Sequence, residues 1–379
     1  MDILFGNKKR ALPPLEIGRN SSVKFLVNIG HMDDSLPLDD EKMKAEIAFQ
    51  NSFDIIADNS VSSSAYSFRK WLSENYPIKI NSVPVYQCFD KMANNTFSFS
   101  CLSDAVSEHI DSGVDMIVVH PGLTRDIVER VSHSSRVIPV TSRGGAQLFS
   151  YIKNYQHENP YYEHWDDILN LVKNTGVCLA LGLSLRSGSI CDELDSLYLD
   201  EMCICGQLIQ QAILEEIPVV IEGIGHVRLK SIPNLLSEVE ERCHHVPIKT
   251  LGPIASDRLC AYDNINALIA SSIAATSGAS IIGALLRSEH LGLPCVDDYR
   301  QDLRNYQILK YLLQIDDDSP CLEKEREISE SRRDRCWNRM FQQALFPLEA
   351  QEAYFRYNKE FNNECTMCGR RCAHKLVLG

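Results

Sequence analysis

The 379 residues predict an α/β fold, a closed (β/α)8 barrel followed by a helical C-terminal segment with a cysteine motif. Three observations lead to this prediction. Short β-rich runs alternate with amphipathic helical stretches, which is typical of a parallel sheet with helices outside it. About eight such units occupy roughly 280 residues, the size of a closed barrel. Polar side chains able to do chemistry follow strand after strand. An open doubly wound sheet is the alternative fold.

The individual elements follow from hydrophobic periodicity and turn residues. We count nine candidate strands, one more than a barrel needs, so one is an extra strand or part of a hairpin. They are Val23–Asn28, Phe53–Ala57, Ile80–Tyr86, Met116–His120, Val137–Thr141, Val177–Leu181, Pro218–Glu222, Val246–Leu251 and Ala279–Ala284. The helices predicted between them include Glu41–Asn51, Leu102–Ser112, Thr124–Ser132, Trp165–Asn174, Glu201–Glu216 and Pro233–Cys243.

The pattern changes after Pro294. Helices are predicted over Cys295–Gln314, Glu323–Gln343 and Gln351–Asn362, with a polar break from Asp316 to Pro320. We therefore predict an N-terminal extension over residues 1–20, a barrel catalytic domain over 21–300 and a helical C-terminal region over 301–379.

Composition narrows the choice of partners. A formal charge of −13 and a pI near 5.3 argue against nucleic acid or an anionic membrane as the main partner. Charges and glycines interrupt every apolar run before it reaches membrane-spanning length, and the first residues lack the apolar core of a signal peptide. We expect a cytoplasmic protein that acts on a small molecule.

Three cysteines lie close together near the end of the chain, in Cys365-Thr-Met-Cys368-Gly-Arg-Arg-Cys372. Of the 14 cysteines in the sequence, only these have ligand spacing. Three thiolates on a [4Fe–4S] cluster leave one iron open, which is where S-adenosylmethionine (SAM) binds in radical enzymes. Structural zinc, completed by His374, is the rival interpretation. The spacing alone does not decide between the two.

Polar groups at the predicted strand ends should meet at one mouth of the barrel. They are Asn28, Asp58, Tyr86, His120, Ser142, Arg143, Arg186, Glu222 and Asp257. The arginine loops at 141–145 and 185–189 offer guanidinium, hydroxyl and backbone N–H groups that suit a phosphate or carboxylate. Together with Glu222, they indicate a phosphorylated and hydroxylated small substrate.

Two histidines follow predicted strands in loops of the same rim. His226 lies in Glu-Gly-Ile-Gly-His and His290 in Ser-Glu-His-Leu-Gly. Imidazoles from two rim loops suit a borderline ion such as Zn2+ or Fe2+. An ordinary metal-dependent barrel enzyme that uses these histidines with Asp257 is therefore one possible interpretation.

Eight motifs occur in an order that resembles the ThiC family, the phosphomethylpyrimidine synthases of thiamine biosynthesis. The resemblance covers residues 20–379. The motifs are Val83–Gln87, Ser142–Gly145, His157–Pro160, Glu222–Val227, Thr250–Pro253, Tyr262-Asp263, Glu289–Pro294 and Cys365–Gly369.

This resemblance implies a homodimeric (β/α)8 barrel that is a radical SAM carbon–carbon lyase. It implies a [4Fe–4S] cluster on Cys365, Cys368 and Cys372, which favours the cluster over zinc. It also implies reductive cleavage of SAM, aminoimidazole ribotide as the substrate, and an electron donor such as flavodoxin or ferredoxin. His226 and His290 match the family's second metal site, zinc or iron. The substrate-contact motifs place Tyr86, His120, Ser142, Arg143, Gly144, Arg186, Glu222, Asp257 and Tyr262 in the site.

The chain also departs from the family pattern. Only three residues separate Cys368 from Cys372, one fewer than is typical, and Leu183 replaces an aspartate. Ile224 replaces a proline, Asn264 replaces a histidine, and the loop after Asp58 differs. We therefore hypothesise a diverged paralogue, such as a 5-hydroxybenzimidazole synthase of anaerobic cobamide biosynthesis, which could pair with a second ThiC-like protein. A non-catalytic partner subunit with a metal-binding tail is the alternative.

Overall fold

The computed structural model describes residues 1–317, 319–359, 361 and 366–378. The chain divides into two compact units, Met1–Lys310 and Tyr311–Gly379. The predicted domain limits at residues 20 and 300 remain predictions.

The first unit is a closed barrel, as predicted. Its strands, after a short N-terminal pair β1 (Ile3–Phe5) and β2 (Leu15–Ile17), are β3 (Lys24–Ile29), β4 (Ile55–Asp58), β5 (Lys79–Ser82), β6 (Met116–Val119), β7 (Cys178–Gly182), β8 (Val219–Gly223), β9 (Ile248–Thr250) and β10 (Ala279–Ala284). Strands β3 to β10 pair in parallel in sequence order, and β10 returns to pair with β3 in the register Ile282↔Phe25. This last pairing closes the sheet and excludes the open doubly wound alternative.

Helices connect the strands and continue into the second unit. They are α1 (Leu38–Gln50), α2 (Ala65–Asn75), α3 (Phe89–Ala93), α4 (Phe99–Asp111), α5 (Arg125–Ser132), α6 (Arg143–Tyr155), α7 (Pro160–Glu163), α8 (Trp165–Val172), α9 (Ser196–Leu214), α10 (Ile232–Arg242), α11 (Asp263–Thr276), α12 (Val296–Asp317), α13 (Ser319–Arg333), α14 (Trp337–Gln343), α15 (Pro347–Tyr357) and α16 (Ala373–Leu378). Short 3-10 turns lie at Pro84–Cys88, Ile190–Asp192, Leu229–Ser231 and Gly369–Arg371.

The strands read as continuous apolar runs because both of their faces are covered. Every residue of Met116–Val119 and of Cys178–Gly182 is buried. A parallel sheet enclosed by helices leaves no face for water, so alternation of polar and apolar residues disappears.

The N-terminal segment lies across the bottom of the barrel, where the strands begin. The backbone N–H of Gly6 donates to the carbonyl of Gly176 at 2.9 Å. Asp115, fully buried just before β6, accepts from the backbone N–H of Asn7 at 3.0 Å and from the Arg10 guanidinium at 2.5 Å. The Lys79 ammonium lies 3.3 Å from the same carboxylate. Residues 1–20 are therefore anchored to the barrel by buried polar contacts.

The predicted strand Val137–Thr141 is wrong. Its residues form an irregular segment between α5 and α6, with Val137 65% exposed. The Asp192 carboxylate accepts the backbone N–H groups of Val137 and Ile138, each at 2.8 Å. Because a side chain satisfies these donors and Pro139 has none, the segment forms no ladder despite its β-branched composition. The surplus ninth strand is thereby removed.

The second unit is helical and packs around aromatic rings. Tyr354 lies 5.1 Å from Trp337 and 5.4 Å from Phe341, centroid to centroid. The helix predicted over Glu323–Gln343 is two helices, α13 and α14, because the chain between them turns through Arg335 at φ +59°. Within the described residues, no helix is long and apolar enough to cross a membrane.

Candidate active site

A cavity of about 300 Å³ opens at the carboxyl ends of the barrel strands. Its lining comes from nearly every strand end and following loop, as expected for the mouth of such a barrel. The lining residues are Asn28, Asn59, Asn81, Val83, Tyr86, Val118, His120, Thr141, Ser142, Arg143, Arg186, Glu222, Ile224, Gly225, His226, Lys249, Leu251, Gly252, Ile254, Leu285, Glu289 and His290.

The structure brings most of the predicted site residues together in this cavity. Those in its lining are Tyr86, His120, Ser142, Arg143, Arg186, Glu222, His226 and His290. Gly144 lies behind His120, and Asp257 lies behind His226. Tyr262 does not line the cavity; it precedes α11 and is 63% exposed, so its role remains a prediction. Cys368 and Cys372 belong to the second unit, and Cys365 lies outside the described residues.

One side of the cavity is suited to an anion. Helix α6 begins at Arg143, and the Ser142 hydroxyl caps it by accepting from the backbone N–H of Gly145 at 3.2 Å. The Arg143 guanidinium stacks over the Tyr86 ring at 5.1 Å. Arg186 donates to the carbonyl of Leu183 at 3.2 Å. Among the described residues, neither guanidinium forms a salt bridge with a carboxylate, although Arg186 is near enough to Glu222 to lower the pKa of that carboxyl. Both guanidinium groups can therefore bind a ligand anion.

His120 is a neutral imidazole on the cavity wall. Burial is the main cause that lowers the pKa of His120 to about 4. Glu222 raises that pKa in part, whereas the cations Arg186 and Lys249 lower it further. Its Nε2 lies 2.8 Å from the Ser142 hydroxyl, while Nδ1 has no hydrogen-bond partner among the described residues. A buried ring nitrogen without a partner is unfavourable unless a ligand or water completes it.

Glycines position this imidazole. A Cβ at Gly144 would lie 2.6 Å from Cε1 of His120, and a Cβ at Gly182 would lie 2.8 Å from its Nε2. Any larger residue at either position would displace the ring. The Gly144 of the arginine loop is therefore needed for close packing, whether or not it contacts the substrate.

An ion pair between Glu222 and Lys249 forms part of the cavity lining. Glu222 Oε2 lies 2.6 Å from Lys249 Nζ, and the two residues are 4% and 1% exposed. Burial alone would raise the pKa of Glu222, but the Lys249 and Arg186 cations outweigh it and lower that pKa. Glu222 is therefore a carboxylate at neutral pH.

Two asparagines form a hydrogen-bonded chain that ends on the half-buried carboxyl of Glu289. Asn59 donates to Asn28 at 3.2 Å, and Asn28 donates to Glu289 at 3.0 Å. Burial raises the pKa of Glu289, although hydrogen bonds from the Leu286 backbone and Asn28 partly offset that effect. These hydrogen bonds hold the loops after β3, β4 and β10 in one arrangement at the rim.

Glu201 supports the loop that carries Arg186. Its fully buried carboxylate accepts the backbone N–H groups of Ser184 and Leu185 at 2.8 and 2.7 Å. Burial raises the pKa of Glu201 to about 7, with those hydrogen bonds acting in the opposite direction. Glu201 has no recognisable signal in the sequence, because it acts from inside helix α9.

The two rim histidines form a pair that fits one metal ion. Their ring centroids are 5.8 Å apart. His226 Nδ1 lies 2.6 Å from Asp257, and His290 Nδ1 lies 3.0 Å from Asp263. Carboxylates commonly orient metal-binding histidines in this way and leave Nε2 for the metal. Two imidazoles that share an ion at about 2.0–2.1 Å have ring centres roughly 5–6 Å apart. The described residues contain no group of three or more potential metal ligands.

The cysteine motif can be assessed at two of its three positions. Cys368 and Cys372 flank the 3-10 turn Gly369–Arg371, and the backbone N–H of Cys372 donates to the Gly369 carbonyl at 3.2 Å. Gly369 has φ +52°, the left-handed region that glycine adopts readily. A single tight turn therefore separates an exposed Cys368 from a half-buried Cys372.

The residues that differ from the family pattern also differ in whether they line the cavity. Asn264 donates to Asp302 at 2.8 Å in a buried contact that does not line the cavity, and Leu183 is fully buried without lining it either. Asp58 binds Arg69 at 3.0 Å, again away from the lining. Two departures line the cavity: Asn59, in the loop after Asp58, and Ile224. Ile224 has φ +52°, a strained conformation for a β-branched residue that proline cannot adopt. These two departures alter the cavity wall directly.

Sequence reasoning missed Lys249, Asn81 and Glu289 as lining residues. Lys249 was recognisable, because a lysine in the centre of a buried strand such as Ile248–Thr250 must be paired or functional. Asn81 and Glu289 had no such signal, since polar residues at strand ends and loops are common.

Parallel strands closed into a barrel, with a polar cavity at their carboxyl ends, define a barrel enzyme for a small polar ligand. The family model of the radical SAM ThiC family matches residues 2–378, and the chain belongs to that family. The phosphomethylpyrimidine synthase of Pelotomaculum thermopropionicum is 32% identical over 98% of this chain and 87% of that protein. That of Thermotoga neapolitana is 31% identical over 97% of this chain and 88% of that protein. A solved dihydropteroate synthase from Coxiella burnetii is 15% identical, with a TM-score of 0.47, and covers 83% of this chain and 99% of its own.

Membership makes this chain a radical SAM enzyme with a lyase-type reaction, and it implies an iron–sulfur cluster and SAM as cofactors. The relatives support thiamine biosynthesis as the setting.

Proposed function

We propose that the protein rearranges 5-aminoimidazole ribotide to the phosphorylated pyrimidine of thiamine. The observation that carries this proposal is the cavity itself, which combines two guanidinium groups without carboxylate partners, a neutral histidine and an ionised glutamate. Arg143 and Arg186 suit the phosphate, and His120 and Glu222 suit the polar groups of the ribose and the base. The names of the relatives support the choice of product.

The cofactors complete the proposal. Cys365, Cys368 and Cys372 would hold a [4Fe–4S] cluster that supplies the electron for cleavage of SAM to methionine and a 5′-deoxyadenosyl radical. His226 and His290 would hold Zn2+ or Fe2+, with Asp257 and Asp263 orienting their rings. The electron would come from a flavodoxin or ferredoxin. We also propose that the protein is a dimer, either of two identical chains or with a ThiC-like paralogue.

The test is an anaerobic reaction with reconstituted protein, dithionite, SAM and aminoimidazole ribotide. We expect a [4Fe–4S]+ EPR signal, formation of 5′-deoxyadenosine and the pyrimidine phosphate by mass spectrometry. Cys368→Ala should abolish all three, whereas His374→Ala, next to the motif, should preserve them. A colourless protein with stoichiometric zinc at the cysteines would contradict the proposal.

The same assay decides between the alternatives. Formation of 5-hydroxybenzimidazole would make the protein the cobamide-type paralogue, for which Ile224 in the cavity wall is the structural motive. Absence of 5′-deoxyadenosine despite an intact cluster would favour the non-catalytic partner subunit. Full turnover by Cys368→Ala would favour the ordinary metal-dependent enzyme that uses His226, His290 and Asp257.

A further inference from the structure

The segment that carries the last two cysteines of the motif is basic, unlike the chain as a whole. We call residues 366–378 the cluster segment. It contains the cations Arg370, Arg371 and Lys375 and no aspartate or glutamate, whereas the whole chain has a formal charge of −13. Helix α13, in the same compact unit, carries equal numbers of acidic and basic residues. The positive charge is therefore a local property of the cluster segment.

The two arginines of this segment are available to a partner. Arg370 and Arg371 are exposed and lie in the 3-10 turn Gly369–Arg371, between the two described cysteines. Within the described part of the chain, neither guanidinium forms a salt bridge. Met367 is 90% exposed and Val377 81% exposed beside them. Arginine and methionine next to apolar side chains are typical of surfaces that bind another protein.

An electron has to reach this part of the molecule from outside the chain. Family membership implies an iron–sulfur cluster, and Cys368 and Cys372 are the described thiols of the motif that would hold it. A protein that supplies the electron must bring its own redox centre close to these thiols, so its surface meets the turn that separates them. Interfaces between redox partners are small and transient, and a short exposed segment is large enough to form one.

The charge of the cluster segment indicates which kind of donor it receives. A chain with a net charge of −13 repels an acidic protein at long range, but unpaired arginines at one place attract such a protein and orient it there. A basic donor would be attracted to the negative surface as a whole and would not be directed to the cysteines. The arrangement therefore suits an acidic donor.

We propose that the cluster segment is the docking surface for an acidic one-electron carrier protein, with Arg370 and Arg371 as its principal contacts. One electron leaves the reduced carrier and enters the cluster, which passes from [4Fe–4S]2+ to [4Fe–4S]+; no bond or proton moves in this step. This inference rests on the proposed cluster at these cysteines and adds the place where its donor binds.

The test compares a protein reductant with a small chemical one. Reconstituted wild-type protein and the variant Arg370→Gln/Arg371→Gln are mixed with a reduced acidic flavodoxin in a stopped-flow instrument. We expect the bimolecular rate constant of cluster reduction to fall about tenfold in the variant and to lose most of its dependence on ionic strength. Calorimetry with oxidised flavodoxin should show weaker binding. The [4Fe–4S]+ EPR signal after excess dithionite should be unchanged, because a small reductant needs no docking surface.

A second pair of arginines in the same unit provides the matched control. Arg332→Gln/Arg333→Gln removes the same charge from exposed positions at the end of α13 and should leave the rate constant within about twofold of wild type. Arg370→Lys/Arg371→Lys keeps the charge and should keep most of the rate. Should the glutamine variant fail to hold a cluster, the wild type at increasing ionic strength tests the same point, since screening should slow reduction by flavodoxin.

Three results would overturn the inference. An unchanged flavodoxin rate in a glutamine variant with an intact cluster would show that the donor docks elsewhere. Equal slowing in the matched control would show that overall charge matters and not this surface. Wild-type reduction that does not depend on ionic strength would exclude an electrostatic docking site. In all three cases the proposed function would stand, whereas wild-type protein without a [4Fe–4S]+ signal after dithionite would overturn the proposed function and this inference with it.

Discussion

Each end of the barrel contains a buried lysine paired with a carboxylate. The two carboxylates differ in how many hydrogen-bond and charge partners the protein gives them. At the bottom, Asp115 accepts from Lys79, Arg10 and the backbone N–H groups of Asn7 and Ile80. At the top, Glu222 has Lys249 as its close partner.

The neighbours of each pair show the same contrast. At the bottom, the Arg10 guanidinium also donates to the carbonyls of Ile78 and Tyr76 at 2.8 and 2.7 Å. At the top, His120 Nδ1 in the cavity wall has no partner among the described residues, whereas of the Arg10 nitrogens at the bottom it is Nε that lacks one. Polar groups that the protein satisfies itself hold the barrel together, and those it leaves incomplete are available to a ligand.

The largest expected effect is at the bottom. Asp115→Asn should lower the free energy of unfolding by about 3–5 kcal/mol, because it leaves two buried cations without a carboxylate. Urea denaturation measures this. Asp111→Asn, which removes an exposed pair with Lys9, should change stability by less than about 0.5 kcal/mol. If Asp115→Asn instead weakened ligand binding in a fully folded protein, the division between the two ends would fail.

At the top, the next largest effect should be on binding. Arg186→Gln should weaken binding of ribose 5-phosphate about 100-fold through loss of a charged contact, with little change in melting temperature. Arg228→Gln provides the control, because that arginine is exposed and paired with Glu193. The dissociation constant of Arg228→Gln for ribose 5-phosphate should stay within about twofold of that of the wild type. A loss of stability without a loss of affinity would assign Arg186 to the fold.

Glu201 should make stability depend on pH in a specific direction. Its folded pKa, about 7, is above the ordinary value of 4.5, so the folded state holds the proton more tightly than the unfolded state. The associated stability is fully present below pH 4.5 and is lost as the pH rises through 7, on the order of 3 kcal/mol in total. Glu201→Gln should therefore flatten the decrease in melting temperature between pH 5 and 7. An unchanged slope would contradict the assignment.

The smallest expected effect tests how closely His120 is packed. Gly144→Ala places a Cβ 2.6 Å from Cε1 of His120 and should displace the ring, which would weaken aminoimidazole ribotide binding about tenfold. Gly292→Ala is the matched control, since a Cβ there meets nothing within 4 Å. Equal affinity in both variants would show that the position of His120 does not matter for the ligand.

Sequence reasoning succeeded where a residue carries its own signal. All eight barrel strands were predicted, because apolar runs bordered by turns are a local property, although the end of the strand predicted at Ile80–Tyr86 is a 3-10 turn from Pro84. The strand-end rule located Arg143, Arg186 and Glu222 in one cavity. It failed for Val137–Thr141, where the distant Asp192 takes the backbone donors. It also passed over Lys249 and Glu201, whose importance depends on which atoms lie opposite them.

The sequence alone determined the barrel, the family and the cysteine motif, because periodicity and ordered motifs are written along the chain. Only the tertiary structure decided which polar groups are satisfied within the protein and which are left for a ligand. In the sequence, Asp115 and Glu222 look alike, since each is an acidic residue at one end of a buried strand. The first is surrounded by donors from the N-terminal segment, and the second borders an open cavity, because closing the barrel sends the beginnings and the ends of its strands to opposite sides.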